Sequence, residues 1–186
     1  MLVVNGEYGF IDRQKIKLSA VAVSRQLAKR TIDMTYTTRE VVIPKENAVF
    51  WMDGRGRWHN EHGEFEHVKI INYFHSAIRK DEHGFYLTQE RDDIIEKVYF
   101  PYEETAFFVF DVLKGDDIIL VLNTQKQINL KPENLSIKDD QLYMNDRKDL
   151  IKFSERGLLK ISDLIKFENN QYTIHVNDKI YKIRQL

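Results

Sequence analysis

Residues 51–87, WMDGRGRWHNEHGEFEHVKIINYFHSAIRKDEHGFYL, hold both tryptophans, five of the six histidines and three tight-turn signals. A strand, AVFWM, runs into a turn at Asp53-Gly54, and Gly56 keeps that turn permissive. Arg57-Trp58-His59 resumes the strand, and Asn60 to Gly63 form a second turn. From Phe65 to Lys80 the apolar positions Val68, Ile71, Phe74 or His75, and Ile78 recur at steps of three and four. That spacing predicts a helix with one apolar stripe. Arg79 and Lys80 fall in its last turn, where cations suit the negative helix end. Gly84 ends the connection, and Phe85 to Thr88 start another strand.

Downstream the pattern is β. IIEKVYF precedes Pro101, and AFFVFDVL is an apolar run read as a central strand buried on both faces. Phe107 to Leu113 and Ile118 to Asn123 read as one antiparallel hairpin. Shorter strands follow around Ile128, Ile137 and Leu142. Ser154 caps a helix to about Leu164, with Leu158, Ile161 and Ile165 as its stripe. Asn169-Asn170 makes a turn, and QYTIHV and KIYKI close as a hairpin about Asn177-Asp178.

Upstream, Leu2 to Ile11 reads as two strands about Asn5-Gly6, and KLSAVAVSRQLAKRTI as a helix. TYTTREVVIP reads as a strand ending at Pro44. Eight Lys/Arg against five Asp/Glu up to Asn47 make this segment mildly basic, but no aromatic residues interleave with the charges as a nucleic-acid surface needs.

The chain has 186 residues and a net charge of -1, enough for a core and with no global field toward nucleic acid or membrane. It has no cysteine, which excludes thiol catalysis and thiolate metal sites and fits a reducing compartment. No apolar run reaches the length of a membrane span, and the N-terminus lacks a signal-peptide pattern; the expectation is a cytoplasmic protein.

Two units can be laid side by side. Trp58, a turn, a helix to Ile78, a turn and Phe85-Tyr86-Leu87 is one; Tyr143, a turn, a helix to Leu164, a turn and Tyr172-Thr173-Ile174 is the other. The reading is an α+β fold of two tandem repeats, each of antiparallel strands plus one helix. Its divisions are an N-terminal extension (1–47), a first repeat (48–100) and a second repeat (101–186).

DGRGRW, the segment Ile78-Arg79-Lys80-Asp81-Glu82-His83-Gly84-Phe85-Tyr86-Leu87, the strand Ala106 to Val112 and Leu122-Asn123-Thr124 resemble, in order and spacing, motifs of a bacterial domain-of-unknown-function family, DUF1285. The resemblance covers roughly Val49 onward. It implies a duplicated α+β core and a pleckstrin-homology-like C-terminal half. It further implies a ligand at the inter-domain surface, nucleotide-based, with a role in signalling or stress response. Thr124-Gln125-Lys126 departs from the family by lacking its glycine, and the segment up to about Lys45 is longer than the family leads one to expect.

There is no P-loop, dinucleotide fingerprint or nucleophile elbow. Gly54 and Gly56, flanked by Arg55 and Arg57, are the nearest approach to an anion cradle, and Trp58 beside them suits a nucleobase or a core equally. Asp111 interrupts an apolar strand and must find a cation, with Arg79 or Arg57 as candidates. The acidic pairs Asp92-Asp93, Glu103-Glu104, Asp116-Asp117 and Asp139-Asp140 read as solvated turns. His59, His62 and His67 among Glu61, Glu64 and Glu66 offer weak metal ligands. His75 reads as an interior histidine and His175 as a surface or edge position.

These features point to a non-enzymatic module binding a small anionic or nucleotide-like ligand through Arg55, Arg57, Trp58, Arg79, Asp111 and Thr124, with no cofactor. The alternatives are a protein-interaction adaptor and a metal-dependent hydrolase at His59, His62 and His67.

Overall fold

The Asp53-Gly54 turn joins two short antiparallel strands, β2 (Phe50–Met52) and β3 (Trp58–Asn60), and β3 turns back into β4 (Gly63–Glu64). Phe50, Met52 and Trp58 alternate inward while Trp51 faces solvent, the period of two expected of a half-buried strand. The computed structural model describes residues 39–91 and 94–186. The two strands read at Leu2 to Ile11, the helix of KLSAVAVSRQLAKRTI and the pair Asp92-Asp93 lie outside the described residues.

Helix α1 (Val68–Ala77) follows β4 and is shorter than the spacing predicts. It stops at Ala77 because Ile78 turns extended and starts strand β5 (Ile78–Asp81). Val68, expected on the apolar stripe, is 66% exposed, and Phe74, His75 and Ala77 make the buried face. Arg79 and Lys80 therefore lie on a strand and not in a last helical turn.

Strand β5 pairs antiparallel with β6 (Gly84–Arg91), and β6 with β7 (Ile94–Tyr99). The β5–β6 turn is held by Asp81, which accepts from the His83 N–H at 2.9 Å and the Tyr99 hydroxyl at 2.7 Å, and which pairs with Lys97. Lys97 first and Tyr99 after it hold the Asp81 carboxyl well below the usual carboxylate range. Strand β1 (Arg39–Ile43), read as part of the N-terminal extension, lies parallel to β7 and completes a sheet of order β1-β7-β6-β5.

The second sheet is mixed. Its order is β10 (Gln127–Asn129), β9 (Ile118–Leu122), β8 (Phe108–Lys114), β13 (Asp149–Phe153), β12 (Gln141–Asp146), β11 (Leu135–Lys138) and β17 (Arg184–Gln185). The β8–β9 hairpin is where the sequence predicts it, and β8 is central, parallel to β13. Only its first half is buried on both faces: Phe108 and Val109 are sealed, whereas Leu113 and Lys114 are exposed. Strand β13 was not anticipated from the sequence.

Ser154 caps helix α2 (Glu155–Ile161), accepting from the Gly157 N–H at 3.1 Å. A three-stranded sheet, β14 (Ile165–Glu168), β15 (Gln171–Val176) and β16 (Lys179–Lys182), follows. Its turns fall at Asn169-Asn170 and Asn177-Asp178, all four with positive φ, as tight two-residue hairpins demand. His175 is half-buried on the middle strand β15 and not at an edge.

Two cores result. Phe50, Trp58, Phe74 and Phe100 meet edge-on or tilted at centroid distances of 4.8–6.1 Å. Val109, Leu120, Leu142, Met144, Ile151, Phe153 and Ile161 anchor the other. The segment from Phe100 to Phe110 joins them: Phe107 packs edge-on against Phe85 at 4.8 Å, and the Phe108 ring lies against Gly56. Residues Arg39–Leu186 form one compact unit. No helix among the described residues is long and apolar enough to cross a membrane.

Candidate functional site

Asp53 builds the turn that carries the arginines. Its Oδ1 accepts from the backbone N–H of Arg55 and of Arg57, both at 2.9 Å. Its Oδ2 takes Arg57 Nε at 2.8 Å and lies 3.0 Å from His59 Nε2. Partial burial works against the charged form of Asp53, but the Arg57 N–H, His59, the Arg55 N–H and the Arg57 side chain outweigh it and hold its pKa below the ordinary value. Arg57 Nη1 reaches Glu64 at 2.8 Å, so both ends of its guanidinium are engaged.

Gly56 is required here for two reasons. Its φ is +79°, and a Cβ would stand 2.9 Å from the Phe108 ring. Its carbonyl lies 3.1 Å from Nε2 of His75. Burial pushes the His75 pKa down to about 4, against the opposite pull of that carbonyl, so the ring is neutral at pH 7 and Nε2–H donates to Gly56. His75 is thus the interior histidine its place on the helix suggested.

Helix α2 faces this turn. Asn123 sets the entry of β8: its Oδ1 accepts from the Phe108 N–H at 3.1 Å and its Nδ2 donates to the Ala106 carbonyl at 3.0 Å. Val109 lies opposite Leu122 and Asp111 opposite Val121, so Phe110 is the extra residue of a bulge. Beyond Val109, β8 is flanked by α2. Ser154 donates its N–H and Oγ to the Val109 carbonyl, and Gly157 lies so close that a Cβ would sit 2.4 Å from that oxygen.

A groove lies between the turn and the start of α2. One lobe, about 540 Å³, is bordered by Asp53, Arg55, Arg57, Glu103, Gln141, Lys152 and Glu155. The other, about 360 Å³, is bordered by Arg55, Arg57, Arg156, Glu155, Ser154 and Phe110. Arg55, Arg57, Ser154 and Glu155 border both.

Of the predicted residues, the structure brings Arg55 and Arg57 together on this groove. Trp58 is a correction. It is 1% exposed, its ring packs against Phe50, Phe74 and Phe100, and it cannot stack on a ligand arriving from solvent. Phe110 is the aromatic residue that borders the smaller lobe. Asp111 pairs with Arg156 and Lys160, both at 3.0 Å, and not with Arg79 or Arg57; Lys160 first, with the Val112 N–H, holds its pKa below the ordinary value. Arg79 donates to the carbonyls of Ser76 and Ile78, and neither it nor Thr124 borders the groove. Within Thr124-Gln125-Lys126, which lacks a glycine, Gln125 adopts φ +66°.

The three metal candidates do not converge. His59 binds Asp53 and stacks on Trp51, His62 pairs with Glu61, and His67 is the N-cap residue of α1. Among the described residues no three His, Asp or Glu are grouped to hold a metal ion.

Sequence reasoning missed Phe110, Arg156, Glu155 and Lys152. It also read Glu104 as solvated, whereas Glu104 accepts from the Tyr143 hydroxyl at 2.8 Å and pairs with Lys152 and Lys138. Tyr143 first, then the lysines, hold its pKa below the ordinary value against partial burial.

No family model and no curated protein matches the chain. The structure is similar to that of a DUF1285 family protein from Silicibacter pomeroyi DSS-3, with 13% identity and a TM-score of 0.55 over 88% of this chain and 93% of that one. A DUF1285 family protein from Shewanella baltica OS155 matches with 14% identity and a TM-score of 0.42 over 57% of this chain and 84% of that one. The chain, whose motifs resemble the DUF1285 family, has the fold of the Silicibacter pomeroyi member.

Proposed function

We propose that this protein is a non-enzymatic binding module that takes a small anionic, nucleotide-like ligand in the groove between the Asp53–Arg57 turn and α2. One observation carries the reading: Arg55, Arg57 and Arg156 border a lobe with Phe110, against Glu155 as its carboxylate. Guanidinium forks match phosphate oxygens, and an aromatic side chain accepts a flat ring.

The order three antiparallel strands, helix, three antiparallel strands occurs twice, as β2-β3-β4, α1, β5-β6-β7 and as β11-β12-β13, α2, β14-β15-β16. This supports a duplicated organisation with the ligand at the seam. Six strands, β8 to β13, leading into α2 support the pleckstrin-homology-like reading of residues 101–186. A cytoplasmic signalling or stress-response role fits a cysteine-free chain that senses a nucleotide without consuming it.

The test is calorimetric titration of adenosine diphosphate into the full chain, Arg55→Ala and Arg156→Ala. Binding to the wild type that is weakened in both variants supports the site. Undiminished binding in both would remove it.

A further inference from the structure

The cations of this groove differ in how tightly each is held. Arg57 has Nε and Nη2 on Asp53 at 2.8 and 2.7 Å and Nη1 on Glu64 at 2.8 Å. Arg156 is 3.0 Å from Asp111, and Lys152 is buried 3.1 Å from Glu104. Arg55 has a looser partner: its Nη1 lies 3.8 Å from Glu155, beyond hydrogen-bond reach, and the two side chains are 68% and 84% exposed.

Resting on the binding reading above, we propose that Arg55 is the guanidinium that meets the ligand's anion, and that Glu155 competes with that anion for it. An exposed ion pair at this distance is weak and screened, so a phosphate carrying more charge and several acceptor oxygens displaces the carboxylate. Using Arg57 would mean breaking two close pairs and loosening the turn that positions Arg55. Glu155 borders both lobes, so its negative charge opposes an anion entering either. Arg57 is then a positioning residue, and Glu155 sets a threshold that weakly charged ligands fail to cross.

The experiment is titration of adenosine diphosphate into the full chain, Glu155→Gln, Arg55→Ala and Glu168→Gln. The last removes the same charge from β14, which does not border the groove. Thermal unfolding first establishes that each variant is folded. The expected result is binding about two- to fivefold tighter in Glu155→Gln, unchanged in Glu168→Gln and lost in Arg55→Ala. Unchanged or weaker binding in Glu155→Gln, or an equal gain in Glu168→Gln, overturns the competition while leaving the groove as the site. Full binding in Arg55→Ala overturns the assignment of Arg55. No binding by the wild type or any variant removes the groove reading and this inference with it.

Discussion

Acidification between pH 7.5 and 5 should destabilise this protein through one side chain, His75. The ring is 4% exposed and packs against Trp58 and Phe110 at centroid distances of 5.9 and 5.0 Å. Its pKa falls from 6.5 to about 4 in the fold, chiefly through burial. The unfolded chain therefore takes up a proton that the folded chain refuses. Stability is complete above pH 6.5 and is lost as pH falls from 6.5 toward 4. Each tenfold difference in proton affinity is worth about 1.4 kcal/mol, so the full loss is about 3 kcal/mol, of which about 2 kcal/mol has gone by pH 5. Carboxylates held low in the fold, Asp53, Asp111 and Glu104 among them, act only below their ordinary range near pH 4. The assay is urea denaturation at pH 7.5, 6.5, 5.8 and 5.0 for the wild type and His75→Gln, whose amide can still donate to Gly56. The wild type should lose about 2 kcal/mol over that range and the variant far less. Equal pH slopes in the two proteins would refute the reasoning.

Three further outcomes follow from the packing. Gly157→Ala puts a Cβ 2.4 Å from the Val109 carbonyl and should cost about 1–3 kcal/mol by denaturant melts; Gly115→Ala, with nothing nearer than 3.8 Å, should stay within about 0.5 kcal/mol. Asn123→Ala leaves the Phe108 N–H and the Ala106 carbonyl unpaired in the interior and should cost about 2–4 kcal/mol, measured the same way. Trp51→Phe leaves only the buried Trp58, whose emission should be blue-shifted and shielded from acrylamide, whereas Trp58→Phe leaves the exposed Trp51 open to quenching; a readily quenched Trp58 would contradict its place in the core.

Local signals were legible in the sequence where local physics decides. The Ser154 cap, the Asn169-Asn170 and Asn177-Asp178 turns and the β8–β9 hairpin each depend on a few adjacent residues. Val68 and Ile78 misled because an apolar spacing of three and four says nothing about where tertiary pairing ends a helix. Ile78 gains more by pairing with Leu87 in a sheet than by adding a helical turn. For the site, Arg55 and Arg57 were visible because they share one turn. Phe110, Arg156 and Glu155 come from β8 and α2, and only the parallel pairing of β8 with β13 carries α2 to that turn. Trp58 was ambiguous because a tryptophan beside arginines reads the same whether it faces solvent or core. Asp111 announced its need for a cation, but the donor lies in a helix far along the chain.

The β8–β13 seam also governs how this chain must fold. Phe108 pairs with Lys152 and Val109 with Phe153, with all of β9 to β12 lying between them in sequence. The hairpins within that stretch close over short loops and form early. The seam closes a long loop and must await them. Until it closes, the groove has only one wall, because Arg55 and Arg57 stand on a turn while Glu155 and Arg156 have not yet been delivered to it. On the proposed function, ligand binding awaits this non-local pairing, and refolding monitored by ligand binding should lag refolding monitored by formation of the hairpins.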